Sequence, residues 1–305
     1  MGTTLYYFSM FKKPAISLAL GLGLSLSLHA APAHRLLFFS KSSGFEHDVI
    51  SWKKGQPSFA EKIFTEMGAK HSWEFVFSKD GSKFSPEYLA GFDAVIFYTT
   101  GNLLTPGTDK QPAITPAGKQ ALFDYIKGGK GFIGLHSASD TFHTAGGPER
   151  HLNAATDEDA FICTLGGEFI THGAQQVATN KVIDSKFPGF ETAGDQFTFV
   201  EEWYSLKNFN PDLHALTVIK TEGMNGEAYR RPDYPTSWAR AEGKGRVYYS
   251  ALGHREDVWT NPTFHNILVG AIRWTTGEVD AVITPNLKTA APDVVTNPPA
   301  EAAKK

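Results

Sequence analysis

Gly128-Gly129-Lys130-Gly131-Phe132-Ile133-Gly134-Leu135-His136-Ser137-Ala138-Ser139-Asp140 is the stretch whose reading decides the fold. Its two leading glycines stop a helix, and 132–135 is a short apolar run suited to a buried strand. The polar residues follow at once. Upstream, Thr115-Pro116 opens the preceding helix as an N-cap with proline in the first turn, and turns Ala121, Leu122, Tyr125 and Ile126 inward. Further out the same grammar repeats. Residues 36–39, 73–77 and 94–98 are strand candidates, and a helix around 59–67 puts Phe59, Ile63, Phe64 and Met67 on one face. Downstream, 247–252 reads as a strand, followed by a helix over 262–274 with Phe264, Leu268, Ala271 and Ile272 together. Strands alternating with helices require crossover connections. They predict an α/β fold, an open and largely parallel sheet with helices on both faces. Residues 146–242 are less regular, with strands at 176–183, 198–200 and 215–219, so the middle of the domain is elaborated.

Composition narrows the function classes. The chain has 305 residues, 41% hydrophobic and 20% charged, with 29 Lys+Arg against 32 Asp+Glu and a formal charge of −3. Such a balance gives no electrostatic reason to expect nucleic acid as a partner. A single cysteine, Cys163, excludes an internal disulfide framework and a four-cysteine zinc knuckle. Its apolar neighbours Phe161 and Ile162 mark a buried, inert thiol. Aromatics at 13% and 29 glycines suit either a stacked core or a sugar-binding cleft.

The two ends stand apart from the domain. Lys12-Lys13, the apolar run 15–28 and Ala31-Pro32-Ala33 (or Leu28-His29-Ala30) have the order of an export signal, expected over 1–33. The run is too short to span a membrane comfortably, so the expectation is a periplasmic protein with no span after processing. Met10 would open a more compact signal than Met1. From 278 to 305 the chain is rich in Ala, Pro, Val and Thr without an amphipathic period, which predicts a mobile tail or an extended arm on the domain.

Ligands in open parallel sheets bind beyond the carboxyl ends of the strands. Those ends carry Ser40 through Glu46-His47-Asp48, then Thr99-Thr100-Gly101-Asn102, then His136 through Asp140, then Gly253-His254-Arg255-Glu256-Asp257. Three of the four hold a histidine with an acid close behind. Imidazole suits proton transfer near neutral pH, and a nearby carboxylate fixes its tautomer. The same set can hold a divalent metal, although no compact ligand spacing is present, or can be purely structural. Gly134-Leu135-His136-Ser137-Ala138 has the form of a nucleophile elbow with histidine at its apex, which argues against cysteine-based amide hydrolysis. Glu201-Glu202-Trp203-Tyr204 follows a strand and can send one carboxylate into the cleft. Trp238 and Arg240 can shape a sugar pocket or pack inside, and His172 is a candidate fourth cleft histidine. His71, His143, His151, His214 and His265 read as surface or packing residues.

At these residues the chain resembles the ThuA-like family, named for trehalose utilisation, within the class I glutamine amidotransferase-like fold. The resemblance is carried by Lys41-Ser42-Ser43-Gly44-Phe45-Glu46-His47-Asp48, by the stretch quoted first, by Glu202-Trp203-Tyr204 and by Ser237-Trp238-Ala239-Arg240. It continues through Gly245-Arg246-Val247 and Gly253-His254 to Ile272-Arg273-Trp274, and so covers about 34–277. It implies a flavodoxin-like sheet whose elbow lacks the amidotransferase cysteine. It also implies a role in carbohydrate metabolism, with a sugar dehydrogenase as a partner in the same pathway. Where many relatives have His-Pro, this chain has His172-Gly173.

Together these readings predict an exported enzyme acting on a glycoside or keto-sugar by His/Asp acid–base chemistry, without glutaminase activity. His136 and His47 transfer protons, Asp140 orients an imidazole, and His254 and Glu202 bind substrate or a divalent metal. Trp203, Trp238, Arg240 and Asn102 line the sugar pocket. The alternatives are a non-catalytic carbohydrate-binding protein, a metal-dependent hydrolase using the same cleft, and a partner-docking module with a decayed site.

Overall fold

Apolar runs of four to six residues bounded by glycine or polar turns become the strands of this molecule, seen here in a computed structural model. The structure describes residues 1–4, 33–144, 153 and 158–300. The fold described below belongs to the unit Pro32–Lys305. Nearly all of the expected export signal, and His151, lie outside the described residues. No helix among the described residues is long and apolar enough to cross a membrane.

The strands are β1 His34–Phe39, β2 Trp73–Ser78, β3 Ala94–Phe97, β4 Gly131–Leu135, β5 Glu168–His172 and β6 Gln176–Val182. They continue with β7 Gln196–Glu201, β8 Tyr204–Lys207, β9 His214–Ile219, β10 Tyr234–Glu242 and β11 Gly245–Ser250. Nine form one sheet in the order β2-β1-β3-β4-β11-β10-β9-β6-β7, while β5 and β8 pair separately. The first five run parallel, as the crossover argument requires. From β11 to β7 every pairing is antiparallel. This half belongs to the irregular middle, where short connections make hairpins rather than crossovers. Gly243-Lys244 joins β10 to β11 in two residues, with Gly243 at φ 60°. Strands β5 and β8 were not anticipated from the sequence pattern, whereas β10 is the strand on which Trp238 takes its packed alternative.

The main helices start at defined caps. Ser58 and Glu61 form a capping box on α1, Phe59–His71; α2 is the short helix Pro86–Ala90. Thr115 caps α3, Pro116–Lys127, as the Thr-Pro signal predicts. After α4, Ala160–Leu165, and α5, Glu256–Trp259, Asn261 caps α6, Pro262–Thr275. Two glycines of the opening stretch let helices close on β4. A Cβ on Gly131 would meet the carbonyl oxygen of Thr275 at 2.6 Å, and one on Gly134 would meet Leu165 Cδ1 at 2.6 Å.

The C-terminal segment takes the second of its two predicted states. It lies on the domain as an arm with one short helix, α7, Leu287–Ala290. Leu287, Ala291 and Val294 are buried, and Asn286 hydrogen-bonds the backbone of Ala215 in both directions through its side chain.

Candidate functional site

The carboxyl ends of β1, β4 and β11 and the end of β7 converge on one pocket of about 540 Å³. Phe45, His47, Asp140, Phe169, His172, Glu202, Tyr204 and His254 line it. Two loops, a turn and a strand end thus bring together residues up to 209 positions apart, as the switch-point rule for open sheets anticipates.

His136 sits at the apex of the turn after β4 with φ 42°, a left-handed conformation costly for a residue with a Cβ. Its carbonyl accepts from Tyr249 Oη at 2.8 Å and from Ser139 Oγ at 3.2 Å, which hold the turn. Its Nδ1 lies 3.0 Å from the carbonyl oxygen of Ala251, so Nδ1 carries the proton and Nε2 presents a lone pair. The ring is fully buried beneath Tyr204, with centroids 4.2 Å apart, and does not line the pocket. Direct proton transfer to a substrate, expected of His136, is therefore not what this placement allows. Burial holds its pKa down at about 4, so the ring is neutral at physiological pH.

Three imidazoles surround one carboxylate oxygen. From Glu202 Oε2, His254 Nδ1 is 3.1 Å away, His136 Nε2 3.6 Å and His47 Nε2 3.9 Å. The rings form a nearly equilateral triangle, with centroids 5.0, 5.2 and 5.3 Å apart. These four residues offer ligand atoms that all lie within 4.8 Å of one another, a set able to hold a metal ion. His136 Nε2 and His254 Nδ1 are buried with no hydrogen-bond partner of acceptable geometry. Leaving such atoms unsatisfied costs about 1–3 kcal/mol each. Burial would raise the Glu202 pKa, but the imidazole N–H of His254 at 3.1 Å outweighs it and holds the carboxyl below its usual range. Burial likewise lowers His47, whereas at His254 the pull of Glu202 overcomes burial and raises the pKa.

Glu201 points the other way and is fully buried. Its carboxylate accepts from the backbone N–H groups of Gly253 and His254 at 3.3 and 3.1 Å, tying the end of β7 to the loop that carries His254. Burial raises its pKa to about 7 despite those bonds.

Asp140 lines the pocket and orients an imidazole as expected, but that of His143 rather than a ring of the cluster. Asp140 Oδ1 is 2.5 Å from His143 Nε2, and His143 Nδ1 is 2.8 Å from Glu168 Oε1. Glu168 is itself buried, and its other oxygen accepts from Asn208 at 2.6 Å. Burial would raise the Glu168 pKa, yet His143, Lys207 and Asn208 together bring it below the usual range. His143, read from sequence as a surface or packing residue, is thus the centre of a carboxylate–imidazole–carboxylate chain reaching the pocket wall.

The four expected sugar contacts are not brought to the pocket. Trp203 is fully buried and donates to the carbonyl of Gln176 at 3.0 Å. Trp238 donates to the carbonyl of Leu165 at 2.7 Å and stacks on Tyr249 inside the core. Arg240 is buried against the Thr164 carbonyl and Glu242. Asn102 turns its own loop by accepting from the N–H of Leu104. Each indole N–H or guanidinium reaches an internal acceptor, so packing claimed all three large side chains. His172 does reach the cleft, 3.4 Å from Glu202 Oε1. Phe45, which no motif argument singled out, stands 70% exposed at the mouth, edge-on to His47. Cys163 is half-buried in α4 rather than fully enclosed. Its thiol is pushed up to about 11 by burial and Glu158, which makes it unreactive. A second pocket of about 550 Å³ lies under the C-terminal arm near Phe209 and Val294, and Asn208, the donor to Glu168, lines it.

Comparison with known proteins agrees with this fold. The ThuA family, described by trehalose utilisation, matches residues 35–275. A ThuA-like protein of Bacteroides uniformis is 20% identical, with TM-score 0.61, over 87% of this chain and 100% of that one. A ThuA-like protein of Parabacteroides merdae is 13% identical, with TM-score 0.53, over 90% and 100% of the two chains. A cytoplasmic protein of Salmonella typhimurium is 16% identical, with TM-score 0.50, over 80% and 97%. These likenesses show a shared fold. No curated protein matches the chain. With a family match spanning the whole sheet and every residue of the pocket, the chain belongs to the ThuA (trehalose utilisation) family.

Proposed function

We propose that this chain is an exported carbohydrate-processing enzyme that acts on a keto-sugar or glycoside by proton transfer from Asp140. The observation that carries the reading is the Asp140–His143–Glu168 chain in the wall of a pocket floored by His254, Glu202 and His47. A pocket of about 540 Å³ takes a mono- or disaccharide, and the exposed ring of Phe45 at its mouth offers a face for the sugar's C–H edges.

The chemistry fits an oxidised sugar. In a glycoside carrying a ketone at its 3-position, the carbonyl acidifies the C–H of the neighbouring carbon. Asp140 takes that proton, the electron pair moves into the carbonyl to give an enolate, and His254 donates toward the new oxyanion. The enolate then re-forms the carbonyl as a double bond forms between C1 and C2 and the C1–O bond breaks; the leaving glycosidic oxygen takes the proton held by Asp140, giving an unsaturated 3-ketosugar and the free alcohol. His143, with a carboxylate on each ring nitrogen, holds Asp140 in place and exchanges protons with it. A sugar dehydrogenase is the class of partner that supplies such a ketone, and the apolar run 15–28 supports export.

The test is turnover of trehalose and its 3-keto derivative by the wild type and by Asp140→Asn. The expected result is product from the keto-sugar alone, with kcat reduced about 10²–10⁴-fold in Asp140→Asn. Tight sugar binding with no product from either substrate would favour the carbohydrate-binding reading.

A further inference from the structure

The floor of the pocket holds more coordinating capacity than proton transfer from its wall requires. We propose that His47, His136, His254 and Glu202 bind one divalent first-row transition-metal ion, with its free side toward the sugar pocket.

Four observations carry this. The ligand atoms are already gathered within 4.8 Å of one another, and the three ring planes stand at 72–87° to each other. Metal–nitrogen bonds of about 2.0–2.1 Å place tetrahedral neighbours about 3.3 Å apart, and the nitrogens here lie 3.1, 3.6 and 3.9 Å from Glu202 Oε2. The nitrogen–oxygen distances therefore lie within about 0.6 Å of tetrahedral spacing. His136 Nε2 is buried without a hydrogen-bond partner, which is the state of a lone pair awaiting a cation, while His254 Nδ1 faces the Glu202 carboxylate and would release its proton to an ion that binds between them. His136 shows the arrangement usual behind a metal-bound imidazole, because its other nitrogen is locked on the carbonyl of Ala251.

The donor set selects the ion. Three imidazoles and one carboxylate suit zinc, manganese, iron, cobalt or nickel over calcium and magnesium, which prefer oxygen. The other histidine–carboxylate groups lack this character. In His143 and His214 both ring nitrogens already have close oxygen partners. The pocket reaches the four-residue cluster through His47, Glu202 and His254 but not through His136, which leaves one open side. There a bound ion would polarise a ketone or hydroxyl oxygen. That role rests on the proposed function, whereas binding does not.

The experiment uses the full chain stripped with a chelator and then titrated with Zn²⁺, Mn²⁺ or Mg²⁺ alone. Bound metal is counted by mass spectrometry, and affinity is read by competition with a chromophoric chelator. The expected result is one Zn²⁺ or Mn²⁺ per chain with no retained Mg²⁺. His254→Gln and Glu202→Gln should weaken binding beyond the roughly 10–100-fold caused by losing an outer-shell partner. His172→Ala should still retain the ion, and circular dichroism identifies any variant that fails to fold. His254→Gln alters a ring at the pocket surface and so tests the claim even if a core variant unfolds. No stoichiometric Zn²⁺ or Mn²⁺ in the wild type, or unchanged affinity in both folded variants, would overturn the proposal. Metal binding without keto-sugar turnover would leave this site standing and remove the proposed reaction.

Discussion

Between Glu201 and Glu202 the chain turns two adjacent carboxylates to opposite sides of a strand end, and their surroundings separate their protonation. Glu202 meets imidazoles and stays ionised, while Glu201 meets backbone N–H groups in a buried site and titrates near 7. Because the folded pKa of Glu201 lies above its ordinary 4.5, the stability linked to it is complete below pH 4.5 and is lost as pH rises to 7. In chelator-treated protein, the wild type should therefore lose up to about 3 kcal/mol relative to Glu201→Gln between pH 4.5 and 7. Urea unfolding of both proteins across that range would show it, and a constant difference would refute the assignment. His136 has the opposite sign. Its depressed pKa of about 4 contributes stability above pH 6.5 that disappears as pH falls through 4. The histidines after the strand ends were legible at this scale, because position after a strand places a side chain near the cleft. His143 was not, since its partner Glu168 is 25 residues away on a strand that no periodicity announced. Nor were the tryptophans, because an indole facing a sugar and an indole facing a backbone carbonyl look alike in sequence.

At the scale of elements, β4 and its turn determine where the cluster forms. Gly131 admits the end of α6, and substitution by alanine would push a Cβ against the rigid carbonyl of Thr275. Gly131→Ala should cost about 1–3 kcal/mol, read as a melting temperature lowered by roughly 2–4 °C per kcal/mol. Gly134→Ala should cost less, because its Cβ meets the mobile end of the Leu165 side chain. Equal losses would mean that the helix contact is not what glycine serves here. The strand–glycine–turn grammar made this half of the sheet readable. The antiparallel strands were less so, because β10 in the main sheet and the separate pair β5 and β8 carry buried residues on successive positions and show no clean alternation. Buried strands of this kind declare themselves through packing partners, which a single sequence does not supply.

Across the whole molecule, the fold brings five chain segments to one mouth and uses the C-terminal arm to cover the antiparallel half. Leu287 and Val294 are buried there, and Arg231 donates to the carbonyl of Val294. Ending the chain before Asn286 should destabilise the domain by about 3–6 kcal/mol, from two buried aliphatic side chains at about 1.5–3 kcal/mol each. Thermal melts of the truncated and full chains check this, and an unchanged melting temperature would show the arm to be dispensable. The arm's low-complexity sequence concealed its docking, because Leu287, Ala291 and Val294 keep an i, i+4, i+7 spacing over only two turns among Ala, Pro and Thr.

The proton transfer assigned to Asp140 can be watched directly. The chain is incubated with 3-keto-trehalose in D₂O, and deuterium at the carbon beside the ketone is followed by NMR. The account predicts exchange at that carbon by the wild type, abolished in Asp140→Asn and slowed in His143→Ala. Exchange that persists in Asp140→Asn, or no exchange by the wild type, would contradict it.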